Sequence, residues 1–257
     1  MRYRIFQKLK QHHPKPTAVV ESTRGIFLHY VPYTDSSVVA TIYTEKFGRQ
    51  TYLVNGIRNR KSGFRLSLMQ ALFLLELEVY HKPGRDLQRV KEFRLSVPFS
   101  RIPFEILRSS QALLIAEVLM KCLKEEEPNP DLFRFLFHAV ELLDLKEEGT
   151  ANFLLLFLFK LTRYLGVCPQ PPGKGGYFDL MSATFRNQEP GHHAFLDAEM
   201  SRKFSLLYRA DWSDMEQLNL KNRDRSLLIE KMLDYYRIHA GLDGQLRSLA
   251  VLKNVLS

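Results

Sequence analysis

The chain has 257 residues, 45% of them hydrophobic and 25% charged, a composition that fits a folded globular protein and excludes a disordered or fibrous one. Two cysteines exclude a disulfide framework and a four-thiolate zinc site, and the longest apolar run, Phe153 to Phe159, falls far short of the roughly 20 residues of a membrane helix. The net charge of +9 is unevenly placed: residues 1–98 hold 17 Lys and Arg against 7 Asp and Glu, and the remainder is near neutral, so a basic module with a polyanionic partner precedes a neutral body.

In chain order, residues 1–21 read as a basic extension. The first 20 carry five cations, two prolines and no acid, and they lack the apolar segment of a signal peptide, so a soluble protein of the reducing cytoplasm is expected. Residues 22–99 read as β. "RGIFLHYVPY", "SVVATIYT", "RQTYLVNG", "ALFLLELEVYH" and "LQRVKEFRLSV" are five runs of strand length, rich in β-branched and aromatic residues. Gly48 can supply the positive φ of a hairpin between the second and third runs, and Pro83 with Gly84 marks a turn between the fourth and fifth. Five short strands fit a small closed barrel. The five-stranded oligonucleotide-binding (OB) barrel is the commonest solution, and an SH3-like barrel would leave a similar pattern.

From Ser100 to the C-terminus the period changes to that of helices, giving an α+β chain with a helical second domain at 100–257. Pro103 is expected in the first turn of a helix running through "FEILRSSQALLIAEVLMKCLKE". After "EEEPNPD", Asn129 is placed to cap "LFRFLFHAVELLDL", with Pro130 as its first residue. "ANFLLLFLFKLTRYLG" is apolar nearly all round and is therefore central to the core. Residues 167–196 are punctuated by Pro and Gly and are expected to be irregular, with a strand-like piece at "YFDLMSATF". Helices around 200–210, 223–240 and 243–255 complete the chain.

The functional signal lies in "FGRQTYLVNGIRNRKSG", where a strand runs into Arg58, Arg60 and Lys61, followed by Arg65. Cations in a barrel loop with no acid among them can meet phosphates. With Arg24, Arg49, Lys82, Arg85, Arg89 and Lys91 they form the expected nucleic-acid-binding set, and the aromatics interleaved with them, Tyr30, Tyr33, Tyr43, Phe47, Tyr52 and Phe64, are candidates for base stacking. Phe64, between Gly63 and Arg65, is the least core-like of these rings. No phosphate loop, nucleophile elbow or zincin motif is present, and "PPGKGG" lacks the spacing of a phosphate loop. Cys168, His192 and His193 offer three metal ligands without a fourth, and Cys122 reads as a small core residue, so neither metal nor cofactor is expected. No catalytic residue is assigned, and an RNA-binding OB module or a protein-interaction scaffold stays open beside DNA binding.

The order of these parts resembles the RecO family of bacterial DNA repair proteins, in particular its shorter Bacteroidetes-like forms. The segments that carry the resemblance are "TRGIFLHYVPYTDSSVVATIYTEKFGRQTYLVNGIRNRKS", "VYHKPGRDLQRVKE", "IPFEILRSSQALLIAEVLMKCLKEEEPNP" and "NFLLLFLFKLTRYLG". It implies an N-terminal OB domain on a helical body and a non-enzymatic, nucleoid-associated role: binding single- and double-stranded DNA, annealing complementary strands, and helping the recombinase RecA replace single-strand DNA-binding protein (SSB). The implied partners are RecR and the acidic, Phe-ended tail of SSB. The family's basic segment falls on Arg49, Arg58, Arg60 and Lys61. Two features depart from the family pattern. "VCPQPPGKGGYFDL" lacks the paired cysteines of a zinc knuckle, and Ala151 and Asn152 stand where some relatives have arginines, leaving Lys160 and Arg163 on the same helix as the partner-binding candidates.

Overall fold

The computed structural model describes residues 19–57, 66–124, 127–173 and 175–256. Strands β1 (Val19–Thr34), β2 (Ser37–Thr44), β3 (Gly48–Asn55), β4 (Leu74–His81) and β5 (Leu87–Leu95) close into a barrel in the order β1-β2-β3-β5-β4. One seam is parallel, between Thr51–Leu53 of β3 and Leu87–Arg89 of β5; the other four are antiparallel. The sequence expectation of an OB-type barrel ahead of a helical domain is met.

Alternation explains the closure. On β3 every second residue is buried, and Tyr52 and Val54 face the interior with Val38, Ala40 and Ile42 of β2 and Leu75, Leu77 and Val79 of β4. Each Val, Leu or Ile side chain among them contributes about 1.5–3 kcal/mol by leaving water. Gly25 lets β1 pass close to this interior, because a Cβ there would stand 2.7 Å from Ile42 Cγ2 and Leu77 Cδ1. Gly48 turns the β2–β3 hairpin at φ +62°, as its position predicts.

The helices are α1 (Ile106–Cys122), α2 (Pro130–Leu145), α3 (Thr150–Tyr164), α4 (Ala198–Arg209), α5 (Asn222–His239) and α6 (Arg247–Leu256). α3 runs through the centre, buried continuously from Asn152 to Phe159. Asn129 caps α2 as expected, its Oδ1 accepting from Leu132 N at 3.0 Å with Pro130 in the first turn. The barrel shares this core. Ile26, Leu28, Tyr43, Leu72 and Leu74 pack with the helices, and the Tyr43 ring stacks on Phe133 at 6.3 Å between centroids.

Three expectations are corrected. Pro103 is not in the first turn of α1, which starts at Ile106. It lies in a turn gripped by buried Asp144 of α2, which accepts from the backbone N–H of Ser100, Arg101 and Ile102 at 2.8–2.9 Å. Residues 167–196 hold strands at "YFDLMSATF", as expected of that strand-like piece, and are otherwise more regular than their Pro and Gly content suggests. β6 (Tyr177–Asp179), β7 (Thr184–Arg186) and β8 (Phe195–Leu196) form a small antiparallel sheet held at buried Asp179, which meets Arg186 at 2.8 Å. The last helix begins at Arg247 rather than 243, because its cap is remote: Glu117 of α1 accepts from Arg247 N and Ser248 N at 3.1 and 3.0 Å.

Candidate nucleic-acid interface

β3 leaves the barrel against the β1–β2 turn. Gly56 N and Ile57 N both donate to Ser36 O, at 2.8 and 3.1 Å, so the chain enters the basic segment beside residues 34–37. Arg58, Arg60, Lys61, Phe64 and Arg65 themselves lie outside the described residues. The parallel seam then sets Arg89 beside Leu53, two residues before β3 ends. Ahead of Arg89, the turn between β4 and β5 carries Lys82 and Arg85, with Gly84 at φ +73°. Arg85 and Arg89 are exposed and Lys82 is half-buried, and among the described residues none of the three side chains has an ion-pair partner.

The other predicted cations are engaged within the molecule. Arg24 holds Glu45 with two hydrogen bonds, Nε to Oε2 at 2.9 Å and Nη2 to Oε1 at 2.7 Å, and its guanidinium lies 5.4 and 4.9 Å from the ring centres of Phe133 and Phe137 on α2. The Glu45 hydrogen bond raises the Arg24 pKa and lowers that of Glu45, outweighing burial in both. Arg49 points to the end of α1, its Nη1 donating to Met120 O at 3.2 Å. Lys91 pairs across the β4–β5 seam with Glu78 at 2.7 Å. The structure thus brings Lys82, Arg85 and Arg89 together on one turn and strand, places Arg24 and Arg49 at the seam with the helices, and ties Lys91 to an acid.

The candidate stacking rings divide in the same way. Tyr43 and Tyr52 are core residues, 2% and 0% exposed. Phe47 is covered by His81, the two rings stacked at 3.8 Å. Tyr30 is half-buried beside Phe27 and His29. Tyr33 alone of the described candidates is open to solvent, at 63%, and it is the last residue but one of β1, three before the Ser36 that meets the exit of β3.

Lys160 and Arg163 lie on a second feature, a pocket of about 580 Å³ between α2, α3 and α4. Its aromatic lining comes from Phe135, Phe159, Tyr164, Tyr208 and Trp212. Trp212 stacks on Phe153 at 5.3 Å, and Lys160 Nζ stands 5.7 Å from its ring centre and 3.0 Å from Asp211 Oδ1. Lys160 lowers the Asp211 carboxyl chiefly by that hydrogen bond. Arg163 is exposed and has no ion-pair partner among the described residues. The pocket escaped sequence reasoning because its walls come from segments almost 80 residues apart; the lone tryptophan after Asp211 was the one available signal. Asn152 faces inward instead, donating to Met215 O and Leu218 O and accepting from Arg225 Nε, each at 2.8 Å.

Among the described residues no group of three metal-ligating side chains converges, and no helix is long and apolar enough to cross a membrane. His192 is 3.3 Å from Asp179, and Cys168 is exposed at the pocket edge.

Residues 19–99 match the family model for the N-terminal part of recombination protein O, and residues 103–250 match that for its C-terminal part. The chain belongs to the RecO family. It is 36% identical to the DNA repair protein RecO of Phocaeicola vulgatus over 241 residues, which is 93% of this chain and 100% of that one. It is 34% identical to RecO of Bacteroides fragilis, over 92% of this chain and 99% of the relative, and 30% identical to RecO of Flavobacterium psychrophilum, over 91% and 98%. The RecO N-terminal match takes in the barrel with Lys82, Arg85 and Arg89, and the C-terminal match takes in the aromatic pocket.

Proposed function

We propose that this RecO-family chain is a DNA repair and recombination mediator that binds single- and double-stranded DNA without sequence preference. The observation that carries the reading is the sorting of the barrel cations. Lys82, Arg85 and Arg89 have no ion-pair partner among the described residues and lie on the β4–β5 turn and on β5, which pairs with the strand that leads to Arg58, Arg60, Lys61 and Arg65, whereas the neighbouring cations are held by acids or by the helices. Phosphates neutralise such a track, and Tyr33 offers one exposed face for a base. Neither contact reads a base edge, so affinity follows charge and salt rather than sequence. By neutralising the backbone the protein lets complementary strands approach, which is annealing, and the reading assigns it no covalent step.

With RecR as co-mediator, the chain would clear SSB for RecA, and the pocket around Lys160 and Arg163 receives the acidic, Phe-ended SSB tail. An aromatic floor takes the terminal ring, Arg163 faces the carboxylates, and Lys160 joins it by exchanging Asp211 for a carboxylate of the tail. Trp212 is the only tryptophan, so its fluorescence reports the pocket directly. Titration with that tail peptide should change it in the native chain and not in Lys160→Glu.

The central test is binding of fluorescent single-stranded DNA across a salt series. Replacing Lys82, Arg85 and Arg89 together by alanine should lower the log–log salt slope by about 2, at about 0.7 per phosphate lost on a single strand. Replacing Arg58, Arg60 and Lys61 should lower it similarly. If both triple variants bind with the native slope, the reading is wrong.

A further inference from the structure

Gln88 occupies an inward position of β5, in register with Tyr52 of β3, and is 3% exposed. The interior of a barrel calls for an aliphatic side chain there, since a buried amide carries donors and an acceptor that must all find partners. Those partners are the main chain of the β4–β5 turn. Gln88 Oε1 accepts from Lys82 N at 2.9 Å, and its Nε2 donates to Lys82 O and to Arg85 O, both at 2.8 Å. The β4–β5 ladder ends at Tyr80 and Arg89, so beyond that pair the side chain takes over cross-strand bonding that the two backbones no longer provide. Each bond lands on a residue whose cation has no ion-pair partner among the described residues.

We propose that Gln88 is a positioning residue for DNA. It fixes the backbone at Lys82 and Arg85, so that the two cations are presented together and the turn is ordered before a strand arrives. Ordering a segment in advance removes part of the entropy loss of binding. A hydrogen-bonded amide at a buried position is a specific way to do this, since all three of its bonds serve the turn and none serves the core. The inference rests on the DNA-binding reading above.

The experiment compares four full-length proteins in the single-stranded DNA salt series: native, Gln88→Leu, Lys82→Ala with Arg85→Ala, and the combination of all three changes. Leucine keeps the buried volume and gives up the three bonds. The expected result is a salt slope lower by up to about 1.4 for Gln88→Leu, two phosphates at about 0.7 each, and no further change when leucine is added to the double-alanine background. A general loss of fold would weaken both backgrounds alike. Native binding with an unchanged slope in Gln88→Leu overturns the proposal and leaves the DNA-binding reading standing, as does a double-alanine variant that binds like the native chain. Absence of native binding overturns both. Hydrogen exchange in the unmodified protein supplies a check independent of any substitution: the Lys82 amide is expected to be protected in the free protein, and rapid exchange there would overturn the clamp.

Discussion

Arg24 was a DNA-contact candidate by charge, and its environment predicts another role. Its side chain is 43% exposed and that of Glu45 36%, so their ion pair contributes only about 0.2–1 kcal/mol. The rings of Phe133 and Phe137 lie 5.4 and 4.9 Å from the guanidinium, and each such contact adds about 0.5–1 kcal/mol at a partly exposed site. Arg24→Ala should therefore cost about 2 kcal/mol, close to 4–8 °C in Tm for a chain of this size. Arg24→Lys should recover little, because an ammonium can neither grip both carboxylate oxygens nor lie flat on a ring. Thermal and urea unfolding measure this cost, and the single-stranded DNA salt series measures the alternative. The expected outcome is lower stability with an unchanged salt slope. A slope lower by about 0.7 with native stability would mean that the guanidinium leaves Glu45 and meets a phosphate, and would refute the assignment to the seam.

Three further outcomes follow from buried polar groups. Burial raises the Asp144 carboxyl, but hydrogen bonds from Ile102, Ser100 and Arg101 outweigh it and leave the pKa below its ordinary value. The folded pKa is thus below the unfolded one, so this stabilisation is complete above about pH 4 and is lost as pH falls through the folded value. Asp144→Asn should cost about 2–3 kcal/mol at neutral pH and flatten the acid limb of a stability–pH curve, and an unchanged limb would refute it. Asn152→Ala leaves a buried Arg225 donor and the carbonyls of Met215 and Leu218 without that amide, and should lower the urea midpoint by the equivalent of about 3 kcal/mol or more. Burial pushes the Cys122 thiol up to about 12, whereas Cys168 is exposed, so a disulfide reagent at pH 8 should modify one thiol quickly and the second only on unfolding.

What the sequence made legible was local. Runs of strand length and β-rich composition marked all five barrel strands, a glycine marked the β2–β3 hairpin, and Asn129 with Pro130 marked the start of α2, because each of these depends on residues within a few positions of one another. The misreadings have the opposite origin. Pro103 looked like a helix start because the carboxylate that organises its turn, Asp144, is more than 40 residues away. The start of α6 is set by Glu117, 130 residues distant. In the small sheet only β8 was missed, its two residues being too few to display a period.

The same distinction governs the candidate site. Composition located a basic barrel, but whether a cation is available to a phosphate depends on register. Glu78 reaches Lys91 because the β4–β5 register shifts there, Glu78 pairing with Glu92 and Val79 with Val90 so that Lys91 is the extra residue between them, and Glu45 reaches Arg24 because β2 returns alongside β1. Shift either pairing by one residue and these side chains would point to opposite faces, freeing different charges. Gln88 makes the point from the other side. In the sequence it is one polar residue in an amphipathic strand, and only the closure of the barrel turns it inward and aims its amide at the turn. The basic surface of this chain is thus defined as much by the acids, rings and helix-end carbonyl that occupy Arg24, Lys91 and Arg49 as by the cations left over, and substitutions at Glu45 or Glu78 should change DNA affinity by releasing charge rather than by removing it.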